Sequence, residues 1–597
     1  MSSEKNTKNY IVVIDQDKIE PDLARETVIN FDPLNRAGKE GGFYINEEEE
    51  LHIDEEDVME AHRMAIKKYP YNNAIKMVQL ISEPDGEPIH QFGDNTFRLY
   101  GLPAPKEGSV VGILGENGMG KSVSVKILTG KIKPNLGDYE NPPGWDEILS
   151  DYRGTDLQNH FGKLAEEEIE SATKPQQEED LPKVYDGKVR DLLEEAAERK
   201  TIDEIADRLD IRKLLDRELG QLSGGELQRV AIASTLMKDA DLYVFDEPSS
   251  FLDVKQRLKM GREIRKLSDE APVLVVEHDL ATLDLVSDHI HVFYGSQANY
   301  GMVSNSLSSK EGINQYLDGH LPSHNLRIRD HSISFDRTKR SQVEHNRTVL
   351  DYPSMKKDFG EGEFKLETSE GELNREEILG IFGENGLGKT VFAKMLAGAI
   401  QPEEGNSPDI DISYKPQYLE AQDETVREAI SKHANPENKK FEVRIAEPLG
   451  LKQLYEQSLE ELSGGELQKV GIAICLSQNA DVYLLDEPSA YLDVEARVEL
   501  GKALKRFARK TEKPLMVIDH DLMMLDYISD RGVVFKGEPG IKGKSSEPTR
   551  IEHALNDFLE DVGLTYRKDH DSGRPRANKP GSQKDKEQRN NGEYYEQ

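Results

Sequence analysis

An ordered internal repeat constrains the fold of this 597-residue chain more than any other feature of its sequence. Four motifs of the first half recur in the same order in the second half: GENGMGKS and GENGLGKT, LSGGELQRV and LSGGELQKV, VFDEPSSFLD and LLDEPSAYLD, VEHDL and IDHDL. The stretch between the first two motifs is longer in the first half, which indicates an insertion there. The repeat predicts two domains of one common fold.

The composition limits the partners and compartments that this chain can have. The chain has 113 acidic residues against 77 Lys and Arg, a formal charge of −36, which argues against extensive wrapping of nucleic acid. Any RNA contact is expected to be local. No apolar run approaches the ~20 residues of a membrane span, and the polar N-terminus lacks the apolar core of a signal peptide. A single cysteine, Cys475, excludes an intramolecular disulfide. We therefore expect a cytoplasmic protein without a membrane domain.

Each glycine-rich motif follows an apolar strand and opens a helix, which is the context of a phosphate-binding P-loop. Lys121 and Lys389 are expected to reach the β- and γ-phosphates, and Ser122 and Thr390 to bind magnesium. The loop positions predicted to approach the phosphates are Gly115, Asn117, Gly118 and Gly120 in the first half and Gly383, Asn385, Gly386 and Gly388 in the second. The two P-loops predict two nucleotide sites.

The third and fourth motifs carry groups suited to hydrolysis. Apolar strands end in the pairs Asp246–Glu247 and Asp486–Glu487. The aspartates are predicted to hold magnesium, and the glutamates to polarise the attacking water as general bases. His278 and His520 end two further apolar runs and are predicted to sit beside the γ-phosphate. Both halves are therefore expected to hydrolyse ATP.

The LSGGELQ segment resembles the signature of the ATP-binding cassette (ABC) ATPases. Ser223 and Ser463 can cap helices whose free N–H groups point at an anion, and the adjacent glycines allow close approach. In that family the anion is the γ-phosphate held by the opposite half, so the resemblance implies head-to-tail halves with two composite sites. The glycines concerned are Gly224, Gly225, Gly464 and Gly465.

The same resemblance adds further candidates around each nucleotide. Gln176 and Gln417 lie in matching KPQ triplets that are similar to the Q-loops of the family, which contact nucleotide and magnesium. Phe92, Phe97 and Tyr352 precede the P-loops and are candidates for stacking on adenine. Packing in the core is the alternative interpretation of these aromatic residues.

Longer segments resemble the ABCE family, the RNase L inhibitor proteins. They include HQFGDNTFRLYGLPAP, NPPGWDEILSDYRGTDLQNHF, EGINQYLDG and RPRANK. The resemblance implies an α/β fold with two P-loop ABC-type nucleotide-binding domains arranged head to tail, preceded by a small α+β ferredoxin-like domain. The expected boundaries are 1–82 for the ferredoxin-like domain, 83–318 for the first cassette with a helix-loop-helix insertion at about 137–164, 319–340 for a hinge, 341–555 for the second cassette, and 556–597 for a second hinge and a polar tail.

The ABCE resemblance also implies cofactors and partners. ATP and Mg²⁺ are expected as cofactors, and the small ribosomal subunit with its rRNA and proteins, together with Pelota or a release factor, as partners. The chain is expected to be a monomer whose cassettes form an intramolecular dimer. The insertion is expected to touch the small subunit, with a packed lid as the alternative. The basic tail would favour phosphate contact, and composition alone predicts disorder there, but the resemblance implies that its first part, through about Lys586, is a hinge packed between the cassettes.

One expected feature of the ABCE family is missing from this sequence. Family members hold two four-iron clusters on eight cysteines in the N-terminal domain, with a run C-x₂-C-x₂-C-x₃-C-P. Here that run aligns with Met59, His62, Ala65 and Tyr69. Because methionine, alanine and tyrosine cannot replace thiolates, we expect no iron-sulfur cluster.

Three functions are compatible with these features. The first is ATP-driven splitting and recycling of ribosomes without clusters. The second is a ribosome-binding, anti-association factor that does not split. The third is another soluble twin-cassette role, such as an ABCF-like translation factor or a DNA-repair ATPase.

Overall fold

The structure is a computed structural model that describes residues 10–596 except 40, 47–48, 55–56, 72–73, 80–86, 175–180, 325, 330–331, 334–346, 361–362, 418–421, 570–571 and 580. Two nine-stranded sheets follow a small N-terminal domain and share one strand order. Within the described ranges, no helix combines the length and the apolar character needed to cross a membrane.

The N-terminal domain has α+β architecture. Strand Tyr10–Ile14 pairs antiparallel with Ile75–Gln79, and Tyr44–Ile45 pairs antiparallel with Leu51–His52. The helical segments are Gln16–Lys18, Pro21–Ala24, Arg25–Ile29, Pro33–Arg36 and His62–Ile66. Its core includes Val12, Val28, Phe43, Ala65 and Tyr69. The expected boundary after residue 82 lies outside the described residues.

The first cassette places its P-loop strand, Val110–Gly115, between Val273–Val276 and His289–Ser296, with all three parallel. The nine strands are His90–Gln91, Arg98–Tyr100, Val110–Gly115, Ser171–Lys174, Leu242–Asp246, Val273–Val276, His289–Ser296, Tyr300–Val303 and Leu307–Ser308. Because parallel strands end at one edge of a sheet, this order brings the P-loop, the acidic pair and the histidine together.

The α-helices of the first cassette cover both faces of this sheet, as its buried strands require. They are Lys121–Leu128, Trp145–Asp151, Leu157–Ala165, Leu181–Val184, Val189–Glu195, Ile202–Arg208, Gly224–Met237, Val254–Leu267, Leu280–Val286 and Ser309–Asp318. Helices Trp145–Asp151 and Leu157–Ala165 form a helix-loop-helix within the expected insertion. The Tyr152 and Phe161 rings pack edge to face there, whereas Arg153 and Asn159 are exposed.

The second cassette repeats the arrangement of the first. Its sheet strands are Met355–Asp358, Lys365–Thr368, Ile378–Gly383, Ile412–Lys415, Val482–Asp486, Leu515–Ile518, Arg531–Glu538, Lys542–Ser545 and Thr549–Arg550, and Thr348–Tyr352 pairs separately with Gly371–Asn374. Its helical segments are Lys389–Leu396, Val426–Ser431, Lys439–Phe441, Glu442–Ala446, Leu451–Leu454, Leu459–Glu461, Gly464–Ser477, Val494–Thr511, Leu522–Ile528 and Ile551–Val562. The expected end of this cassette at residue 555 falls inside helix Ile551–Val562, which packs on strand Arg531–Glu538.

The C-terminal segment joins the two cassettes. Strands Tyr566–Lys568 and Pro575–Ala577 pair antiparallel, and the second of them packs on helix Leu280–Val286 of the first cassette. Arg576 donates a hydrogen bond of 2.8 Å from Nη2 to Asp284 Oδ1. This part of the basic tail is therefore engaged within the protein.

The last residues differ from the polar tail expected from composition. They form helix Gln583–Asn591, and Tyr595 is buried against the core of the second cassette. The hydroxyl of Thr565 donates to Asp585 Oδ1 at 2.7 Å, which fixes the start of this helix. A buried aromatic anchor and buried polar contacts order a segment whose composition alone favours disorder.

Candidate active sites

Both P-loop lysines are buried at the first position of a helix. Lys121 Nζ donates to the carbonyl groups of Gly115 at 2.7 Å and Glu116 at 2.9 Å, and Lys389 Nζ donates to those of Gly383 and Glu384 at 2.8 and 2.9 Å. Burial lowers the pKa of Lys121 to about 8 and also lowers the pKa of Lys389. A buried cation is stabilised by a nearby anion, so both lysines are placed to gain from a bound phosphate.

The glycines before each lysine adopt backbone angles that other residues avoid. Gly120 has φ 87° and Gly388 has φ 91°. A Cβ atom on Gly120 would come within 2.8 Å of Phe97 Cζ, and one on Gly388 within 2.8 Å of Phe364 Cζ. The same aromatic support therefore lies under each P-loop.

This geometry separates the three predicted stacking residues. Phe97 lies against its P-loop, and Phe92 is 54% exposed with its ring edge-on to His90. Tyr352 is only 1% exposed and packs against Phe392, so the ring has no face for adenine and its assignment is wrong. Phe364 is the counterpart of Phe97 and was not among the predicted stacking residues. Each of the two phenylalanines precedes the Gly-Lys pair of its P-loop, and this was the signal that could have identified Phe364.

The groups predicted to bind magnesium meet in the second cassette. Thr390 Oγ1 donates to Asp486 Oδ2 at 2.9 Å, and the Tyr414 hydroxyl donates to the same oxygen at 3.2 Å. Burial raises the pKa of Asp486. Hydroxyl and carboxylate oxygens are ligands that Mg²⁺ prefers, so this pair fits the ion.

The first cassette presents the same residue types. Asp246 ends strand Leu242–Asp246, and burial raises the pKa of its carboxyl. Ser122 is exposed in the first turn of helix Lys121–Leu128. Gln176 lies outside the described residues.

The two candidate general bases share an unusual backbone. Glu247 has φ 45° and Glu487 has φ 46°, in the left-handed region that non-glycine residues rarely adopt. Such strain persists only where the surroundings enforce it, and it is concentrated at functional sites. Its occurrence at both equivalent glutamates supports a common role.

The surroundings of Glu487 favour its ionised form. Gln417 Nε2 donates to Glu487 Oε2 at 2.9 Å, and His520 Nε2 lies 3.5 Å from Oε1. Burial acts to raise the pKa of Glu487, but the nearby His520, the charge of Lys389 and the hydrogen bond from Gln417 outweigh it and lower the pKa. An ionised carboxylate is what a general base requires at neutral pH.

The equivalent histidine of the first cassette lies close to both the P-loop lysine and the candidate general base of its site. His278 Nε2 lies 3.3 Å from Lys121 Nζ and 3.7 Å from Glu247 Oε1. Burial, reinforced by the charge of Lys121, holds the pKa of His278 well below its usual value. Both contacts are made by Nε2, so a neutral imidazole can either accept from the lysine or donate to the glutamate, depending on its tautomer.

The signature serines begin helices as predicted. Ser223 and Ser463 are the N-caps of helices Gly224–Met237 and Gly464–Ser477, each in a capping box with the glutamate three residues later. A Cβ on Gly225 would lie 3.7 Å from Asn385 Nδ2 of the opposite P-loop. Gly464 and Gly465 lie against Tyr491 of their own half. The structure thus brings one signature glycine to the opposite nucleotide loop.

Two aspartates that the sequence interpretation left unassigned join the halves. Asn385 N donates to Asp253 Oδ2 at 2.9 Å, and Asn117 N donates to Asp493 Oδ2 at 3.4 Å. Each aspartate closes the repeated acidic motif at the same position, which was the signal that could have identified it. The reciprocal contacts establish a head-to-tail arrangement.

A central cavity lies between the two sites. Both candidate bases and both histidines line it: Glu247, His278, Glu487 and His520. The Phe251 and Tyr491 rings meet beside it with centroids 5.4 Å apart. The two sites are therefore connected by this cavity and by the contact between the two rings.

Of the four N-terminal positions that match iron ligands in the ABCE pattern, all but Met59 are buried. Ala65 and Tyr69 are buried, Met59 is 39% exposed, and His62 is fully buried with its Nε2 atom 3.4 Å from Asp32 Oδ2. Cys475 is buried in the second cassette. No cluster of three or more His, Cys, Asp or Glu side chains suited to a metal occurs among the residues that the structure describes. The donor set does not fit an iron-sulfur cluster.

Comparison with known proteins matches both cassettes and the whole chain. The ABC transporter family model matches residues 105–250 and 366–490. An uncharacterised ABC transporter ATP-binding protein of Methanocaldococcus jannaschii is 44% identical over 98% of this chain and 97% of its own length.

Two solved structures show the same similarity in three dimensions. A model of ribosome-bound archaeal Pelota and ABCE1 contains a chain that is 46% identical, with a TM-score of 0.92 and coverage of 99% of both chains. A complex of the archaeal ribosomal stalk protein aP1 with the ribosome recycling factor aABCE1 contains a chain that is 48% identical, with a TM-score of 0.79, covering 86% of this chain and 100% of that one. The expected α/β twin-cassette fold is confirmed, and the chain belongs to the ABCE family of ABC-type ATP hydrolases.

Proposed function

We propose that this chain is an ATP-driven ribosome recycling factor that acts in the cytoplasm. The full-length similarity to an ABCE1 chain described as ribosome-bound together with Pelota carries the proposal. The second solved relative is itself called a ribosome recycling factor. The small ribosomal subunit and Pelota or a release factor are the corresponding partners.

Each nucleotide site uses groups from both halves in this proposal. At one site Lys389 holds the phosphates, Thr390, Gln417 and Asp486 bind magnesium, Glu487 is the general base, and His520 orients it. At the other site Lys121, Ser122, Gln176, Asp246, Glu247 and His278 have these roles. Signature residues of the opposite half complete each site: Ser223, Gly224 and Gly225 at the Lys389 site, and Ser463, Gly464 and Gly465 at the Lys121 site. Magnesium supplies charge neutralisation on the phosphates.

ATP bound between the halves favours the closed arrangement because only that arrangement presents both the P-loop and the signature to one nucleotide. Hydrolysis removes this preference and returns the cassettes to the open state. The cycle therefore converts ATP turnover into a movement between the cassettes.

The same chain works without an iron-sulfur cluster in this proposal. The support is chemical: the aligned positions carry Met59, His62, Ala65 and Tyr69, and the protein has one cysteine in total. The test is metal analysis of protein purified both with and without oxygen. Stoichiometric iron in either preparation would overturn the cluster-free proposal.

Gradient sedimentation tests the main proposal directly. Cognate ribosomes are incubated with the protein, Pelota or release factor, and either ATP or a non-hydrolysable analogue. We expect ATP-dependent conversion of 70S ribosomes to subunits. When the non-hydrolysable analogue replaces ATP, the protein should stay bound to the small subunit. The matched control is the Glu247→Gln plus Glu487→Gln protein, which should bind but not recycle through repeated rounds.

Other outcomes identify the alternative functions. Binding to the small subunit without conversion would indicate an anti-association factor, which the altered N-terminal domain makes a specific alternative. No association with ribosomes in any nucleotide state would contradict both roles and leave a different twin-cassette function.

A further inference from the structure

The two composite sites carry different charge pairs across the interface between the halves: a lysine and a glutamate at one site, and two glutamates at the other. In each P-loop a glutamate follows the first glycine: Glu116 in the first half and Glu384 in the second. In each half, the position two residues after the interface aspartate faces the glutamate of the other half. That position is Lys255 in the first half and Glu495 in the second. The repeat therefore aligns a lysine with a glutamate at a contact between the halves.

At the site of Lys389 the pair is attractive. Lys255 Nζ lies 3.0 Å from Glu384 Oε1 and 3.3 Å from Oε2, so one ammonium binds both oxygens of the carboxylate. Partial burial acts to lower the pKa of Lys255, but the hydrogen bond and charge of Glu384 raise it above its usual value. Both groups are charged at neutral pH, and their attraction favours closure.

At the site of Lys121 the pair consists of two carboxyl groups. Glu116 and Glu495 line one cleft between the halves. Two carboxylates held close together repel each other unless one of them carries a proton. Burial, and then this contact with Glu495, raise the pKa of Glu116 to about 8.

The other charged groups near Glu116 do not remove this repulsion. Asp493, which accepts from the P-loop backbone, acts in the same direction as Glu495, and Arg329 of the hinge segment opposes both. The remaining charged side chains that line the cleft are Glu447, Lys469 and Glu499. Carboxylates therefore outnumber cations on the walls that face Glu116.

We propose that the two facing carboxyl groups of Glu116 and Glu495 make the Lys121 site the one that opens more readily, whereas the Lys255–Glu384 ion pair holds the Lys389 site closed. These four residues are positioning residues that act on closure. The backbone contacts agree in direction, since the interface hydrogen bond is 2.9 Å at the Lys389 site and 3.4 Å at the Lys121 site. The inference rests on the proposed ATP-driven closure.

The pH dependence follows from the proton taken up. A carboxyl whose pKa is raised on closure binds more protons in the closed state than in the open state. Raising the pH from 6 towards 8 therefore opposes closure, by up to about tenfold per pH unit in the closed-to-open ratio for one proton. The Lys389 site should stay closed over this range.

The test measures each site separately by electron resonance distances between paired spin labels that flank it. Labels are placed on introduced exposed cysteines in the Glu247→Gln plus Glu487→Gln protein, with MgATP. Cys475 does not interfere because it is buried, and burial raises the pKa of its thiol to about 12. We expect closure at both sites at pH 6 and partial opening of the Lys121 site alone at pH 8.

Charge exchange gives the decisive comparison. Glu495→Lys should raise the closed-to-open ratio of the Lys121 site at pH 8 by about threefold to tenfold and abolish its pH dependence. Lys255→Glu should make the Lys389 site behave like the other, and adding Glu384→Lys should restore it. The matched control is Glu499→Lys, which changes the same helix and the same cleft by the same charge and should have little effect.

The possible failures are distinguishable. Absence of ATP-dependent closure at both sites of the unaltered chain would contradict the proposed cycle. Two results would overturn the charge inference alone. One is closure at both sites with no pH dependence. The other is a closed-to-open ratio of the Lys121 site that changes neither in Glu495→Lys nor in the milder Glu495→Gln.

Discussion

The buried charges of the cassettes and those of the N-terminal domain are balanced by different means. In the cassettes, Lys121 and Lys389 lie among P-loop carbonyl groups and face carboxylates at the ends of strands. In the N-terminal domain, the Asp32 carboxylate accepts hydrogen bonds from the backbone N–H groups of Leu34, Asn35 and Phe43. It also lies beside His62.

This difference distinguishes a ligand site from a structural centre. A triphosphate can replace the carbonyl groups around the lysines, whereas Asp32 is already satisfied by groups of its own domain. Substitutions in the cassettes should therefore change turnover more than stability, and substitutions around Asp32 should do the reverse.

The largest effect is expected for Glu247→Gln combined with Glu487→Gln. Removing both general bases should lower ATP turnover by about 10²- to 10⁴-fold while nucleotide binding is kept. Phosphate release and equilibrium binding of ATP measure the two quantities. Turnover equal to that of the unaltered protein would remove both glutamates from the chemical step.

Lys121→Ala combined with Lys389→Ala should act one step earlier. Loss of a charge-assisted contact to the phosphates at each site is expected to weaken ATP binding by about 10- to 100-fold. Thermal unfolding without nucleotide should change little, because the substitution also removes a buried cation. A large loss of stability with normal ATP affinity would show that these lysines have a structural role and do not bind the nucleotide.

Most of this contrast could be predicted from sequence because the cassette motifs are local. Lys389, Thr390 and Glu487 belong to contiguous patterns whose context, a strand followed by a helix, is itself visible in the sequence. The fold class followed from the repetition of these patterns. Contacts between distant segments were not visible: Asp253 and Asp493 acquire partners only when the halves meet.

The one misassigned residue shows the same limit. Tyr352 lies before the second P-loop at a plausible distance, but the strand pair Thr348–Tyr352 and Gly371–Asn374 turns its ring into the core, and Phe364 takes the predicted position. The Asp32–His62 contact joins residues whose local patterns give no sign of each other. Buried pairs of this kind depend on tertiary packing.

In the N-terminal domain, Asp32→Ala should change stability instead of turnover. It leaves three backbone N–H groups without their acceptor and His62 without its nearby carboxylate, so the free energy of unfolding of this domain should fall by about 2–4 kcal/mol. ATP turnover without ribosomes should stay within about twofold. Hydrogen exchange of the domain and phosphate release provide the two readouts.

The control for this substitution is Asp22→Ala in the same domain. Asp22 pairs with Arg25 at 2.7 Å on the surface, so its removal should change stability by no more than about 0.5 kcal/mol. Equal effects of the two substitutions would contradict a structural role for Asp32.

The smallest expected effect is the pH dependence that His62 gives to the N-terminal domain. Burial, opposed by the charges of Asp32 and Asp57, lowers the pKa of His62 below its usual value. The unfolded domain therefore binds more protons than the folded one just below pH 6.5. The stability contributed by the neutral imidazole is present above that pH and is lost as the pH falls through the folded pKa, by at most about 1.4 kcal/mol per pH unit. Thermal unfolding of the domain between pH 8 and pH 5, followed by hydrogen exchange, should show this loss, and His62→Gln should remove the part due to this group. A domain that becomes more stable on acidification would show that His62 is held as a cation by Asp32, and the centre would then be an ion pair.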